Sequence, residues 1–398
     1  MTNPICKEME PLWDRYLRGE CTPEEERQAE EHLEQCPACQ ERLDQAMAAQ
    51  APLVPPTTTE QAAPSSGKQQ RWMRRAKWRN RVSTAVNLLS AFILLSILSG
   101  ITTGLLYGLG GSSSTSERLP KVLGTAVGMT VPNLNVNSGG VSTGFYFNLS
   151  MDYKMSKQVG RQEQLYGILH GDMRFNLLNV KREWFGGGYQ SNLYFAYPET
   201  PGSLTDEDRQ YERDRDNDVW KALEMLPEGT VSELAVSLDA AYSLEEIYAM
   251  FQTYDMDIVW YAFDTGLEQD SARQGNFLSG WSGELWGMSS DLMLRYASYS
   301  SGLKVWGDGP AKEQAFLRGL QELQKNERWV RKLVHADPKL QKRIEYVSEH
   351  GARSYGLIVT GPTKELLKLR ENVHITRPAL GETDWWNWYQ TSYSSVQY

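Results

Sequence analysis

Apolar and polar positions along this chain change their period several times, and each change marks a different kind of element. In residues 4–18, Ile5, Met9, Leu12, Trp13, Tyr16 and Leu17 recur at helical spacing; Pro11 is a point of kinking and Gly19 a stop. Thr22-Pro23-Glu24-Glu25 is a capping box with proline at the first helical position, predicting a second helix through about Glu34. Pro37 opens a third, running to about Ala49. From Val82 to about Leu109 the amphipathic pattern disappears. No charge falls between Val82 and Ser116, and the run carries Leu88-Leu89, Phe92-Ile93-Leu94-Leu95 and Ile97-Leu98. It exceeds the ~20 residues a helix needs to cross ~30 Å of hydrocarbon.

Beyond this run the period shortens. A Ser/Thr/Gly tract from about residue 112 reads as a spacer, and Leu119 to Trp184 reads mostly as strands and turns, with Thr143 to Leu149 alternating. Residues 199–218 read as a highly charged loop. Thr230–Leu238 and Asp257–Phe263 are predicted strands flanking a helix capped by Ser243, and helices are predicted over roughly 310–350. Ser354–Thr360, a helix from Pro362 to Arg370 and Val373–Thr376 make a second β-α-β unit. The predicted fold class is therefore a small all-α bundle, one transmembrane helix and an α+β domain with ferredoxin-like β-α-β elements. The expected divisions are 1–50, a linker and basic segment over 51–81, the span 82–109, a β-rich region 110–220, and an α+β domain 221–398.

Charge orients this arrangement. The chain of 398 residues carries a formal net charge of -9, which argues against direct nucleic acid binding, since phosphate contacts need a basic face. Residues 1–50 hold 12 acids and 5 bases, whereas residues 51–81 hold one acid and seven bases directly before the neutral run. By the positive-inside rule these cations place the N-terminus in the cytoplasm and the C-terminal part outside. The span begins some 80 residues into the chain, so it reads as a signal-anchor. All four cysteines lie within the first 39 residues, on the reducing side of this topology.

The cysteines also carry the chemistry. Glu31-His32-Leu33-Glu34-Gln35-Cys36-Pro37-Ala38-Cys39 spells His-x3-Cys-x2-Cys. His32 and Cys36 are four apart and share a helical face, and Pro37 bends the chain so that Cys39 can return to the same point. Cys6 is the best candidate to complete a Cys3His set that suits structural Zn2+, with Cys21 as alternative ligand or redox thiol. Three short helices bury little apolar surface alone, so a metal clip is physically useful.

The spacing Cys6-x25-His32-x3-Cys36-x2-Cys39, with Gly19-Glu20-Cys21-Thr22-Pro23-Glu24-Glu25 between, resembles the zinc-binding anti-sigma domain over roughly residues 1–50. Cys21 departs from that family's pattern. Tyr355-Gly356-Leu357-Ile358-Val359-Thr360-Gly361-Pro362-Thr363-Lys364-Glu365-Leu366-Leu367 resembles the sigma-regulator C-terminal domain, over about residues 220–390. The resemblance implies a membrane anti-sigma factor that sequesters an extracytoplasmic-function RNA polymerase sigma factor. Release would follow an envelope signal, with a small membrane co-regulator as a further partner. Leu12, Trp13, Tyr16, Leu17, Leu33, Leu43 and Met47 are the candidate sigma-binding residues, on a bundle too small to bury so many apolar side chains.

Catalytic patterns are weak throughout. Gly280-Trp281-Ser282-Gly283 lacks the last glycine of a nucleophile elbow, and Gly361-Pro362-Thr363-Lys364 lacks P-loop spacing. His170, His335, His350 and His374 show no metal-ligand pairing. Asp214-Arg215-Asp216-Asn217-Asp218 starts like a calcium loop but has Val219 where the turn needs glycine. Trp385-Trp386-Asn387-Trp388-Tyr389 could cover a sheet, stack on a sugar or rest at a membrane surface. The rival reading is an envelope-anchored carbohydrate-binding protein or enzyme whose zinc module is only structural.

Overall fold

Two prolines set the start of adjacent helices near the N-terminus. Thr22 precedes α1 (Pro23–Gln35) in extended conformation, and its N–H and hydroxyl both donate to Glu25 Oε2 at 2.9 Å. Cys36 breaks the chain in an extended conformation, and Pro37 opens α2 (Pro37–Ala49). The computed structural model describes residues 12–13, 15–16, 20–49, 66–186, 193–198, 205–273, 278–279, 284–297, 304, 306–334 and 337–386. Within it the chain forms two compact units, Met1–Ala85 and Val86–Tyr398.

A single helix, α3 (Ser66–Gly108), takes in both the basic segment and the apolar run. At 43 residues it is about 64 Å long. Among the described residues it contains the one helix long and apolar enough to cross a membrane. Leu88, Leu94 and Leu98 are more than 60% exposed, which a core helix of a soluble protein would not tolerate.

The Ser/Thr/Gly tract departs from its expectation as a spacer. Gly111–Ser113 form a 3-10 turn, and α4 (Thr115–Thr130) follows where strands were expected. Pro120, two glycines and several β-branched residues obscure the helix in sequence. Leu119, Val122, Leu123, Ala126 and Val127 keep helical spacing, however, and all are buried. Gly128 lets the neighbouring elements close in: a Cβ there would stand 3.1 Å from Leu292, and its carbonyl accepts from Trp260 Nε1 at 2.8 Å.

Four strands then make an antiparallel meander: β1 (Asn135–Thr143), β2 (Asn148–Val159), β3 (Gln162–Arg174) and β4 (Leu177–Trp184). After the two-residue strand β5 (Tyr194–Phe195) comes α5 (Asp206–Met225), in place of the expected charged loop. Its helicity rests on polar pairs one turn apart, Arg209–Asp206 and Lys221–Asp218 at 3.2 Å and Gln210–Asp214 at 2.9 Å, and on buried Trp220 and Leu223. The would-be calcium residues Asp214 to Asp218 lie inside this helix.

The C-terminal sheet is built around β6 (Thr230–Tyr242). α6 (Leu244–Phe251) leads to β7 (Asp257–Asp264), β8 (Leu278–Ser279) and β9 (Gly287–Ser289) follow, and helices fill much of 290–350. β10 (Arg353–Pro362) and β11 (Ile375–Trp385) complete the sheet, in the order β11-β6-β10-β7-β9. All its pairings are antiparallel, so β6 and β7 run parallel with β10 between them, and β10 and β11 run parallel with β6 between them. Both connections are β-α-β units that skip one strand.

Both faces of this sheet are covered. Leu234, Val236 and Leu238 point into one core with α4 and the meander, while Ala235 joins Phe195, Trp260, Tyr355 and Ile358 in a second. That is why β6 reads as a nearly unbroken buried run. A buried ion pair ties the two sheets: Lys157 on β2 donates to Glu233 on β6 at 2.8 Å, and Asn133 donates to the same carboxylate at 2.7 Å.

Candidate functional site

Three potential metal ligands meet at the junction of α1 and α2. His32 stands in the last turn of α1, Cys36 is the extended residue between the helices, and Cys39 lies in the first turn of α2. The backbone N–H groups of Cys39 and Gln40 donate to the Cys36 carbonyl at 3.1 and 3.2 Å, fixing the turn. Ligand atoms of His32, Cys36 and Cys39 lie within 4.8 Å of one another, and His32 Nε2 is 3.4 Å from Cys39 Sγ. Zinc–ligand bond lengths give a nitrogen–sulfur edge of about 3.6 Å in a tetrahedron. The cluster therefore has the size and the donor chemistry of a zinc site. Cys39 is buried, and His32 and Cys36 are half-buried.

The remaining cysteines stand apart from this group. Cys6 lies outside the described residues. Cys21 is half-buried and is not a member of the cluster, and no disulfide joins Cys21, Cys36 and Cys39.

Several apolar side chains of this module are only partly buried. Leu12, Trp13 and Tyr16 are helical and half-buried, as are Leu33 and Leu43 on α1 and α2. Leu17 lies outside the described residues, and Met47 sits on α2 with its side chain outside them. Trp13 packs edge-on to Tyr16 at 6.1 Å and lies 6.3 Å from the His32 ring, so one aromatic links Tyr16 to the ligand cluster. Burial raises the Tyr16 hydroxyl above its ordinary pKa, with Glu30, Glu26 and Cys21 adding to it. Among the described residues of this module whose burial is given, only Ala29 and Cys39 are fully buried.

One pair was not legible in the sequence. Arg15 makes two parallel hydrogen bonds to Glu25, at 3.0 and 2.9 Å, fastening the N-terminal helical segment to α1. Glu25 is held below the usual carboxylate range by the Thr22 N–H and hydroxyl first, then by Arg15. The capping box announces the Thr22 half; the Arg15 half, ten residues away, is tertiary.

The histidines after the apolar run fall where a surface or strand reading puts them. His170 lies between Asp152 at 2.6 Å and Glu183 at 3.2 Å, His374 faces Tyr242, and His350 stacks on Tyr346. His335 and residues 280–283 lie outside the described residues. Trp386 packs under Arg161 and its N–H donates to Gly229; residues 387–398 lie outside them as well.

Comparisons with known proteins agree with this geometry along the whole chain. Residues 6–40 match the family described as "Putative zinc-finger", residues 70–164 "Sigma factor regulator N-terminal", and residues 223–382 "Sigma factor regulator C-terminal". The chain is 26% identical over 390 residues to "Probable anti-sigma-M factor YhdL" of Bacillus subtilis (strain 168), covering 96% of this chain and 99% of that protein. Together these matches support a membrane anti-sigma factor. This anti-sigma factor is a regulator and not an enzyme, and the carbohydrate-binding or enzymatic alternative has no support. The match over 70–164 takes in α3, α4 and the first strands, a stretch whose sequence gave no family resemblance. No solved structure matches this anti-sigma factor.

Proposed function

We propose that the N-terminal module grips an extracytoplasmic-function sigma factor on the cytoplasmic side and holds it away from RNA polymerase. Residues 1–50 are the binding module, 51–81 its tether and 82–109 the span. Residues 110–220 and 221–398 form the outer part that receives an envelope signal, with a small membrane co-regulator as a further partner. The observation that carries this reading is in the N-terminal module: a zinc-sized ligand cluster with Trp13 near its His32, and Leu12, Tyr16, Leu33 and Leu43 that, like Trp13, are only partly buried. A partner's helices would cover these side chains, and Leu17 and Met47 would extend the set. The acidic surface of residues 1–50 suits a basic, DNA-binding partner by steering encounter.

Zinc would be held by His32, Cys36 and Cys39 with Cys6 as fourth ligand. The zinc-finger match beginning at Cys6 and ending one residue past Cys39 supports that choice over Cys21. The ion would supply structure only, clamping α1 to α2 where the protein core is too small to do so. Cys21, outside the cluster yet close to Tyr16, would then be a redox thiol or a bystander.

The test is a 1–67 fragment co-expressed with the extracytoplasmic-function sigma factors of the same organism, one at a time. The wild-type fragment should co-purify with one of them and carry one zinc per chain. Cys36→Ser should lose the ion, unfold and release the sigma factor. Normal binding by the Cys36→Ser fragment would refute the clip; a zinc-loaded wild-type fragment that captures no sigma factor would refute the partner.

A further inference from the structure

The span is not bare on its outer half. The β1–β2 turn lies along it: the Tyr146 N–H donates to Ser99 Oγ at 2.6 Å and the Phe147 N–H to Thr103 Oγ1 at 3.0 Å. Tyr107 donates its hydroxyl proton to the Phe147 carbonyl at 3.0 Å, and the Ser96 and Tyr146 hydroxyls meet at 2.8 Å. Ser96, Ser99, Thr103 and Tyr107 follow helical spacing and make one polar stripe on an otherwise apolar helix. Phe145 packs against the gap at Gly100, where a Cβ would stand 3.2 Å from its ring.

Depth follows from the register. Counting from Val82, the first residue after the basic segment, Ser96 lies about 21 Å along the helix, inside a hydrocarbon layer of ~30 Å. Whatever touches Ser96 and Gly100 therefore lies below the lipid headgroups. Two features of the turn suit that depth. Backbone groups of Tyr146 and Phe147 are satisfied by side chains of the span, as hydrocarbon demands of any non-helical backbone. The side chains left over are apolar and outward: Phe145 is 56% exposed and Tyr146 48%.

The neighbouring β3–β4 turn also carries exposed apolar side chains, on either side of Asn176, whose Oδ1 accepts from Arg328 at 3.2 Å. The meander brings both turns to the same end of the sheet, where Phe147 and Phe175 rings lie 4.8 Å apart. Phe175 is 66% exposed and Leu177 78%. Tyr146, Phe147 and Phe175 all have φ between +46° and +58°, a conformation that glycine or asparagine adopts with less strain. Aromatics are kept at three positions where the backbone disfavours them. The turn at the opposite end of the sheet, Gly160-Arg161, is polar and packs on Val231 and Asp255.

We infer that the tips of the two hairpins, Phe145-Tyr146-Phe147 and Phe175-Asn176-Leu177, are seated among the lipid acyl chains of the outer leaflet beside the span. The occupant of this surface is lipid because the tips continue a helix face that lipid already covers. The outer part then touches the bilayer at two places, the span and the sheet end. The inference rests on the spanning reading of α3.

A fluorescent amino acid placed at 145 or 177 in the full chain, reconstituted in phosphatidylglycerol/phosphatidylethanolamine vesicles, tests it. Position 177 opens strand β4 directly after the positive-φ pair Phe175 and Asn176, has no positive φ itself, and reads out even if the residue at 145 disturbs folding. Exposed Met225, the last residue of α5 and six before the Val231 on which the opposite turn packs, is the reference position. Nitroxides carried on lipid acyl chains should quench 145 and 177 roughly two-fold and leave 225 unaffected, with blue-shifted emission at the first two. Water-like, unquenched emission at 145 and 177 in a chain that resists carbonate extraction would overturn the seating alone; a second membrane protein, absent from such vesicles, would then be what covers the tips. A chain stripped from the vesicles by carbonate would overturn the spanning reading and the inference together.

Discussion

Single side chains in this protein do work that their neighbours in sequence do not announce. Lys157 and Glu233 are almost completely buried and 2.8 Å apart, joining two sheets from strands 76 residues apart. Breaking a buried pair strands a charge, so Lys157→Met should cost about 3–5 kcal/mol, whereas replacing both partners with apolar residues should cost much less. Denaturant unfolding of the two variants measures the difference. Lys312 is also buried: its ammonium donates to Tyr248 and to the Lys304 carbonyl at 2.9 Å, and desolvation lowers its pKa to about 8. Between that value and the ordinary lysine range the unfolded chain holds a proton that the folded chain has lost. Stability from this group therefore rises with pH across that window and is lost as pH falls through about 8. A titration of the Lys312 side chain by NMR, set beside melting temperatures at pH 7 and pH 10, checks the sign. At this scale the sequence was informative for His32, Cys36 and Cys39, because their spacing alone implies convergence. It was silent on Lys157, Arg15 and Lys312, whose partners come from distant segments.

Elements with one strong period were legible, and elements with mixed signals were not. α1, α2, the first β-α-β unit and β10 lie where capping residues and alternation put them, whereas the helix after β10 ends in a 3-10 turn and the last strand, expected over Val373–Thr376, runs from Ile375 to Trp385. α4 was hidden because proline, glycine and β-branched residues sit on a helix whose second half is buried almost all round, where tertiary packing overrides propensity. α5 was hidden because its polar pairs cover most of the helix and only Trp220 and Leu223 betray a buried side. The clasp between α3 and the β1–β2 turn could not be read either, since serine and threonine in an apolar run look like ordinary helix residues that bond their own backbone. Its contribution is testable. Ser99→Ala with Thr103→Val leaves the Tyr146 and Phe147 amides without partners, at about 1–3 kcal/mol each. Amide exchange should be slow at both positions in the parent and faster in the variant, with the strands of the C-terminal sheet unchanged. Equal protection in both proteins would mean that the hydroxyls hold nothing.

At the scale of the whole molecule, one helix, α3, carries the chain from the basic segment through the apolar run. A module with almost no core carries the ligand cluster, and a thiol-free second unit carries a five-stranded sheet with a core on each face. This division explains why an anti-sigma factor of this length needs no active site. It binds by surface and is placed by its anchor. The most direct measurement is the distribution of the sigma factor between membrane and cytosol in cells expressing the full chain or its Cys36→Ser variant. The sigma factor should sediment with membranes beside the full chain and move to the cytosol, with its target promoters active, beside Cys36→Ser. A sigma factor that stays with the membrane when Cys36 is replaced, or that never sediments with the full chain, would contradict the account.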